Sequence, residues 1–277
     1  MQRDFQFLLD MLQSKTINIG LCIILLLGLG EVGMTAVQWT RSSSQEQSSG
    51  STIYPDSHVK DGDVIVYQFH NYDLTILSFV DNFDFIYQPS QTQSLKTVAT
   101  EFNYRYLVNG SFFEASKEHA GWLSVLGQEK TPFKEDPQLS HIIQFNTNTG
   151  GLNFVEAQLF QPSTERTNIE FQSGPLIIDT NQVSTKYIKQ SLNGLLPFKR
   201  TLLAYTEEDQ RKYLMITKKK VNLDELADYL LTLSVFSGKT LHVVNLDGGT
   251  STALYSQTHP ELSFNEAAIL PILLGLN

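Results

Sequence analysis

"HVVNLDGGTSTALYS", residues 242–256, decides how the chain is read. An apolar run ends in one Asp, then two glycines, then three hydroxyl residues. Leu241 to Leu246 is apolar except for His242 and Asn245, which reads as a buried strand delivering Asp247 at its C-terminal end. Gly248 and Gly249 suit a backbone turn with positive φ. Successive N–H groups in such a turn form an anion-binding concavity. Thr250, Ser251 and Thr252 add hydroxyl donors. Two readings stand side by side. One is an ordinary Asp-Gly hairpin turn. The other is the floor of an active site, with a carboxylate beside an anion.

Working outward, the segment before this strand reads as a helix over 223–236. Asn222 is a candidate N-cap, and Glu225 three residues on completes a capping-box pattern. Leu223, Leu226, Leu230 and Leu233 form its apolar face, and Gly238 suits its end. A second helix is expected over 94–102, with Leu95, Val98, Ala99 and Phe102 on one face. "DVIVYQFHN" and "LTILSFV" read as a hairpin through Asn71-Tyr72-Asp73. "RTLLAYT" and "KYLMITK" read as another across "EEDQR". Further strands are expected at 104–108, 141–145, 153–160, 167–171 and 174–178. Many strands and few helices give an α+β class: a single domain with mixed β-sheets and few packed helices.

The N-terminal part is different. Thr16 to Gly30 carries no charge, and Val32 to Val37 extends the apolar stretch past Glu31. No A-x-A cleavage pattern follows it, so an uncleaved signal anchor is favoured over a signal peptide. "RSSSQEQSSGS" (41–51) is polar and cannot bury enough surface to offset its ordering entropy. The expected order is a cytoplasmic segment (1–15), a transmembrane anchor (16–37), a Ser/Gln-rich linker (38–52) and an extracytoplasmic domain (53–277).

Composition narrows the function classes. The formal net charge is −9, and the longest basic run is Lys218-Lys219-Lys220 at a strand end or turn. Nucleic acid is therefore not an expected partner. One cysteine, Cys22, excludes intrachain disulfides and thiolate zinc sites. The six histidines form no HExxH pair. A divalent cation held by carboxylates stays open as a cofactor, but no ligand spacing supports one.

Three further segments could carry chemistry. In "YLVNGSFFEA" (106–115) an apolar strand again ends in a polar residue, Asn109, and a glycine; Phe112 and Phe113 could wall a pocket beside Glu114. "NGS" is also a glycosylation sequon, which would exclude a pocket role for Asn109. Ser173-Gly174-Pro175 is a turn feeding a buried strand. Arg200 opens an apolar strand, and Arg is a natural bidentate partner for phosphate.

Taken in order, "NGSFFE", "QSGPLIID", "KRTLLAY" and "NLDGGTSTALY" resemble the phosphodiester glycosidase family, over roughly Val64 to Leu276. The resemblance implies hydrolysis of a sugar–phosphate glycosidic link, such as that of N-acetylglucosamine in a phosphodiester. It implies Asp247 as base, nucleophile or electrostatic stabiliser. Arg200 and the Gly248-Gly249 amides would hold the phosphate, and Asn109 would bond sugar hydroxyls or orient water. Glu114 would be a second carboxylate. Phe112, Ser173, Gly174, Thr250, Ser251 and Thr252 would complete the substrate site. Ser111 and Thr250 stand where the family has glycine, and Leu203 to Tyr205 where it has small residues; each added side chain is expected to narrow the pocket. A non-catalytic glycan-binding module and a structural envelope protein are the competing readings. The structural one predicts that Asn109, Arg200 and Asp247 lie apart.

Overall fold

Alternation along the strands explains the architecture. In the central strand Thr201–Thr206, Leu203 faces one core while Leu202 and Ala204 face another. Val244 and Val243 split in the same way on Leu241–Asn245. A sheet buried on both faces needs apolar side chains in both directions, so these strands read as continuous hydrophobic runs. The computed structural model of the protein describes residues 51–266 and 269–277. The cytoplasmic segment, the anchor and nearly all of the linker expected from the sequence lie outside the described residues. Among the described residues, no helix is long and apolar enough to cross a membrane.

Three sheets make the body. The largest has eight strands, running Ser57–Asp61, Val64–Phe69, Leu74–Phe79, Lys212–Thr217, Thr201–Thr206, Leu241–Asn245, Leu176–Asp179 and Gln182–Val183 across the sheet. A five-stranded sheet is built around Asn168–Ser173, flanked by Leu123–Val125 and His141–Asn146. Another five-stranded sheet is built around Tyr106–Asn109, between Ala253–Ser256 and Ile272–Leu276. All named strand pairs are antiparallel. Several sheets with few helices match the expectation, and the sheets are antiparallel where mixed ones were expected.

One core fills the space between the large sheet and the two smaller ones, with Leu203, Leu214, Phe145, Phe171 and Tyr106 in it. The other lies under the helix Leu223–Leu231, whose Leu223, Leu226, Ala227 and Leu230 pack on the outer face of the large sheet. That helix ends earlier than its periodicity suggested, and a 3-10 turn, Ser234–Phe236, continues the apolar face. Its capping box does not form: Asn222 holds the N-cap position without a side-chain capping bond. The helix Leu95–Phe102 does have its cap, Ser94 Oγ accepting from Thr97 N at 3.2 Å. It buries Leu95, Val98 and Ala99, but Phe102 is exposed, because the chain turns away through left-handed Asn103. Both expected hairpins are present, in register Ile65↔Ser78 and Leu203↔Leu214.

Candidate active site

Two central strands from different sheets end at the same place. Leu241–Asn245 lies inside the eight-stranded sheet and leads into Asp247; Tyr106–Asn109 lies inside the second five-stranded sheet and ends in Asn109. Asn109 is fully buried and ties the ends together. Its Nδ2 donates to the Asp247 carbonyl at 2.8 Å. Its Oδ1 accepts from Thr201 Oγ1 at 2.6 Å and from Ala253 N at 3.0 Å. The side chain is buried at 1% exposure and does not line the cleft, so it reaches neither a glycan nor sugar hydroxyls. Both expectations for Asn109 from the sequence give way to a role in positioning.

The Asp-Gly-Gly turn is not a hairpin turn. Gly248 is extended, at φ −141° and ψ −158°, and a 3-10 turn, Gly249–Ser251, follows. Of the two glycines, Gly249 alone has positive φ, +64°. Gly248 is needed for close approach: a Cβ there would lie 2.7 Å from the Lys199 carbonyl oxygen. The amides expected to hold phosphate are engaged. Gly248 N donates to Asp247 Oδ1 at 2.8 Å, and Gly249 N donates to Lys199 O at 2.9 Å. They fix the carboxylate and close the turn instead.

Asp247 is half-buried, and burial pushes its pKa up to about 6. Bonds from the Ser251 side chain and the Gly248 amide oppose that rise without cancelling it. The result is a carboxyl group that ionises close to neutrality, as a catalytic acid or base requires.

The cleft above Asp247 has a volume of about 440 Å³, within the range of small-molecule sites. Phe112, Phe198, Arg200, Asn245 and Thr250 line it along with the Asp-Gly-Gly turn. So do Lys199 and Glu266, which the sequence did not single out, and Lys220, which it placed in a basic run at a strand end or turn. Lys199 is ion-paired with Glu266. Arg200 is buried, not the surface charge that an isolated Arg suggests. Its Nε donates to Val221 O at 3.1 Å and its Nη2 to Leu196 O at 2.6 Å, and the guanidinium sits 5.5 Å from the Phe198 ring centroid. Burial pulls its pKa down to about 10, so it stays charged at neutral pH. The buried Asn245 bonds Gly174 O at 3.0 Å and Leu246 O at 2.8 Å through Nδ2, while its Oδ1 has no partner. That oxygen is shielded from solvent as well as unpartnered.

The other expected residues sort around this centre. Ser173 and Gly174 lie behind it: Ser173 Oγ and Gly174 N both bond the Asn245 carbonyl, at 3.0 and 3.1 Å. Thr252 is buried behind the turn. Glu114 is not brought in. It is half-exposed, does not line the cleft and pairs with Lys134 at 2.7 Å. The added side chains mostly leave the cleft open. Ser111 turns inward to donate to Gln172 O at 2.9 Å, Leu203 is core, and Tyr205 stacks on His242. Thr250 alone among them lines the cleft. Among the described residues no group of three His, Cys, Asp or Glu side chains is arranged to hold a metal ion.

A sequence profile described as phosphodiester glycosidase matches residues 102–271, which hold Asn109, Arg200 and Asp247. The fold is similar to the zebrafish N-acetylglucosamine-1-phosphodiester alpha-N-acetylglucosaminidase catalytic domain, auto-inhibited by its pro-peptide. The TM-score is 0.54 at 13% identity, covering 80% of this chain and 81% of that one. A weaker likeness is to a Synechocystis protein without assigned function, with TM-score 0.45 at 12% identity, covering 79% of this chain and 60% of that one. No curated protein matches the sequence.

Proposed function

Since the chain belongs to the phosphodiester glycosidase family, we propose that it hydrolyses the glycosidic bond of a sugar-1-phosphodiester in the cleft above Asp247. One observation carries the reading. A single carboxylate with a near-neutral pKa faces a cleft whose other charged walls are Arg200, Lys220 and the Lys199–Glu266 pair. A sugar phosphate offers that charge pattern in reverse: an anionic phosphate for the cations, and an anomeric carbon that turns cationic in the transition state.

Each residue then has a task. Arg200 and Lys220 hold the phosphate, Arg200 from a buried position that costs little further ordering. The leaving group is a phosphate monoester, which departs as an anion beside these cations and needs little protonation. Ionised Asp247 takes the proton of the attacking water and stabilises the developing positive charge. Asn109 and the Gly248 amide hold Asp247 in place. Glu266, through its pair with Lys199, replaces Glu114 as the second carboxylate near the cleft. N-acetylglucosamine is the first sugar to try, because the zebrafish protein is named for it. The glycans of a cell envelope are the proposed source of substrate, reached from a domain tethered outside the membrane.

The test uses the full chain with UDP-N-acetylglucosamine and a panel of other sugar-1-phosphodiesters, following free sugar. Turnover is expected, with a loss of ~10³-fold in Asp247→Asn. Saturable binding with no turnover in the wild-type protein would replace hydrolysis with a binding function.

A further inference from the structure

The charges that line the cleft come close to cancelling, and one ion pair decides the remainder. Lys199, Arg200 and Lys220 are its cations. Phe198 and Val221 exchange both main-chain bonds, at 3.3 and 2.9 Å, which brings Lys199 and Lys220 to neighbouring positions. The carboxylates of the lining are Asp247 and Glu266. With Asp247 ionised, these five side chains carry a formal excess of one positive charge. Without Glu266 the excess would be two.

Both members of the Lys199–Glu266 pair are held by backbone that belongs to the site. Lys199 O accepts from Gly249 N at 2.9 Å, so the lysine is fastened to the Asp-Gly-Gly turn. Glu266 follows the short strand Phe264–Asn265, where Asn265 pairs with Ala253. Ala253 N in turn donates to Asn109 Oδ1 at 3.0 Å. The Lys199 side chain is 19% exposed and that of Glu266 48%. A partly covered ammonium in a cleft walled by Phe112 and Phe198 is screened less than one on an open surface. Its charge therefore counts for an anion in the cleft, and Glu266 opposes it. Lys220 is exposed and forms no ion pair among the described residues.

The reaction proposed above changes the charge on the phosphate. A sugar-1-phosphodiester carries a single negative charge. Hydrolysis frees the sugar and leaves the other half as a phosphate monoester, with a charge of about −1.5 to −2 at neutral pH. A lining with a single excess positive charge matches the diester and not the monoester. The geometry points to Glu266 as a specificity-determining residue of the cleft. By pairing with Lys199 it admits the singly charged phosphodiester and turns away the doubly charged monoester. The link to product release rests on the hydrolase reading, whereas the charge preference does not.

The test measures binding and needs no turnover. Full-length wild-type and Glu266→Gln proteins are titrated with dimethyl phosphate, a monoanionic diester, and with methyl phosphate, followed by phosphorus NMR line width. The pH is about 8, where methyl phosphate is a dianion. Glu266 is exposed, so the variant keeps the fold. The wild-type protein is expected to prefer the diester. Glu266→Gln should move the ratio of the two affinities ~3–10-fold toward the monoester. Adding Lys199→Met to that variant should bring the ratio back. A ratio that Glu266→Gln leaves unchanged overturns the proposal, as does a shift that survives Lys199→Met. So does a wild-type preference for the monoester, or no binding of either ion up to ~100 mM, well beyond a millimolar site. A wild-type chain that shows the preference but turns over no sugar-1-phosphodiester loses the hydrolase reading and keeps this one.

Discussion

The cleft floor and the groove lined by Trp122, Phe133, Phe160 and Tyr187 are built on opposite plans. On the floor, polar groups are spent on one another: Asn109 on Asp247, Thr201 and Ala253, Ser173 on Asn245, and Gly248 N on the Asp247 carboxylate. Few line the cleft, Asp247 and Lys220 among them. In the groove, Gln158, Gln190 and Phe133 lie open to solvent. The difference separates a preorganised site from an open surface. A reacting carboxylate has to be held in one geometry before substrate arrives.

Breaking the floor should cost far more than breaking its surroundings. Asn109→Ala removes a buried amide and strands the groups it bonded. Chemical denaturation should show a loss of about 2–4 kcal/mol, and turnover should fall even where the protein stays folded. A loss under about 1 kcal/mol would mean that the two strand ends hold together without it.

Asp247→Asn should move stability the other way. The folded-state pKa of Asp247 is raised from 3.8 to about 6, so ionising it in the folded protein is costly. That cost is absent below the unfolded value and fully present above the folded one. Asn removes it. With solvent screening at a half-buried group, the variant should gain about 1–2 kcal/mol at pH 7.5. The gain should vanish as pH falls below 4. Equal stability at both pH values would contradict the burial of this carboxyl.

The smallest effect belongs outside both regions. Glu114 is half-exposed and paired with Lys134. Glu114→Gln should change stability by less than about 0.5 kcal/mol and turnover by less than about twofold. A larger fall in turnover would bring Glu114 back into the site.

The difference in plan also decides what could be read from the sequence. Asp247 and Asn109 stood out because each ends an apolar strand beside a glycine, and the backbone geometry that demands those glycines also makes the site. The hairpins and the Ser94 cap followed from local pattern. The positioning role of Asn109 was hidden, since its three partners lie 92, 138 and 144 residues away. Lys199, Lys220 and Glu266 join the cleft only through folding, and their own neighbourhoods read as solvated charge. The engagement of the Gly248 and Gly249 amides depended on where Lys199 O came to rest. Glu114 sat next to the right motif and turned outward. The groove left no motif, because its aromatics come from four separated segments.

The most direct test of the account is the pH dependence of kcat/KM on a sugar-1-phosphodiester. A diester has no phosphate group titrating near neutrality, unlike a monoester with its second pKa at about 6. The ionised form of Asp247 is the working one, so kcat/KM should rise through an acid limb centred at about 6 and level off above it. A rate that instead falls as pH rises through that value, or that crosses it unchanged, would contradict Asp247 as the reacting base.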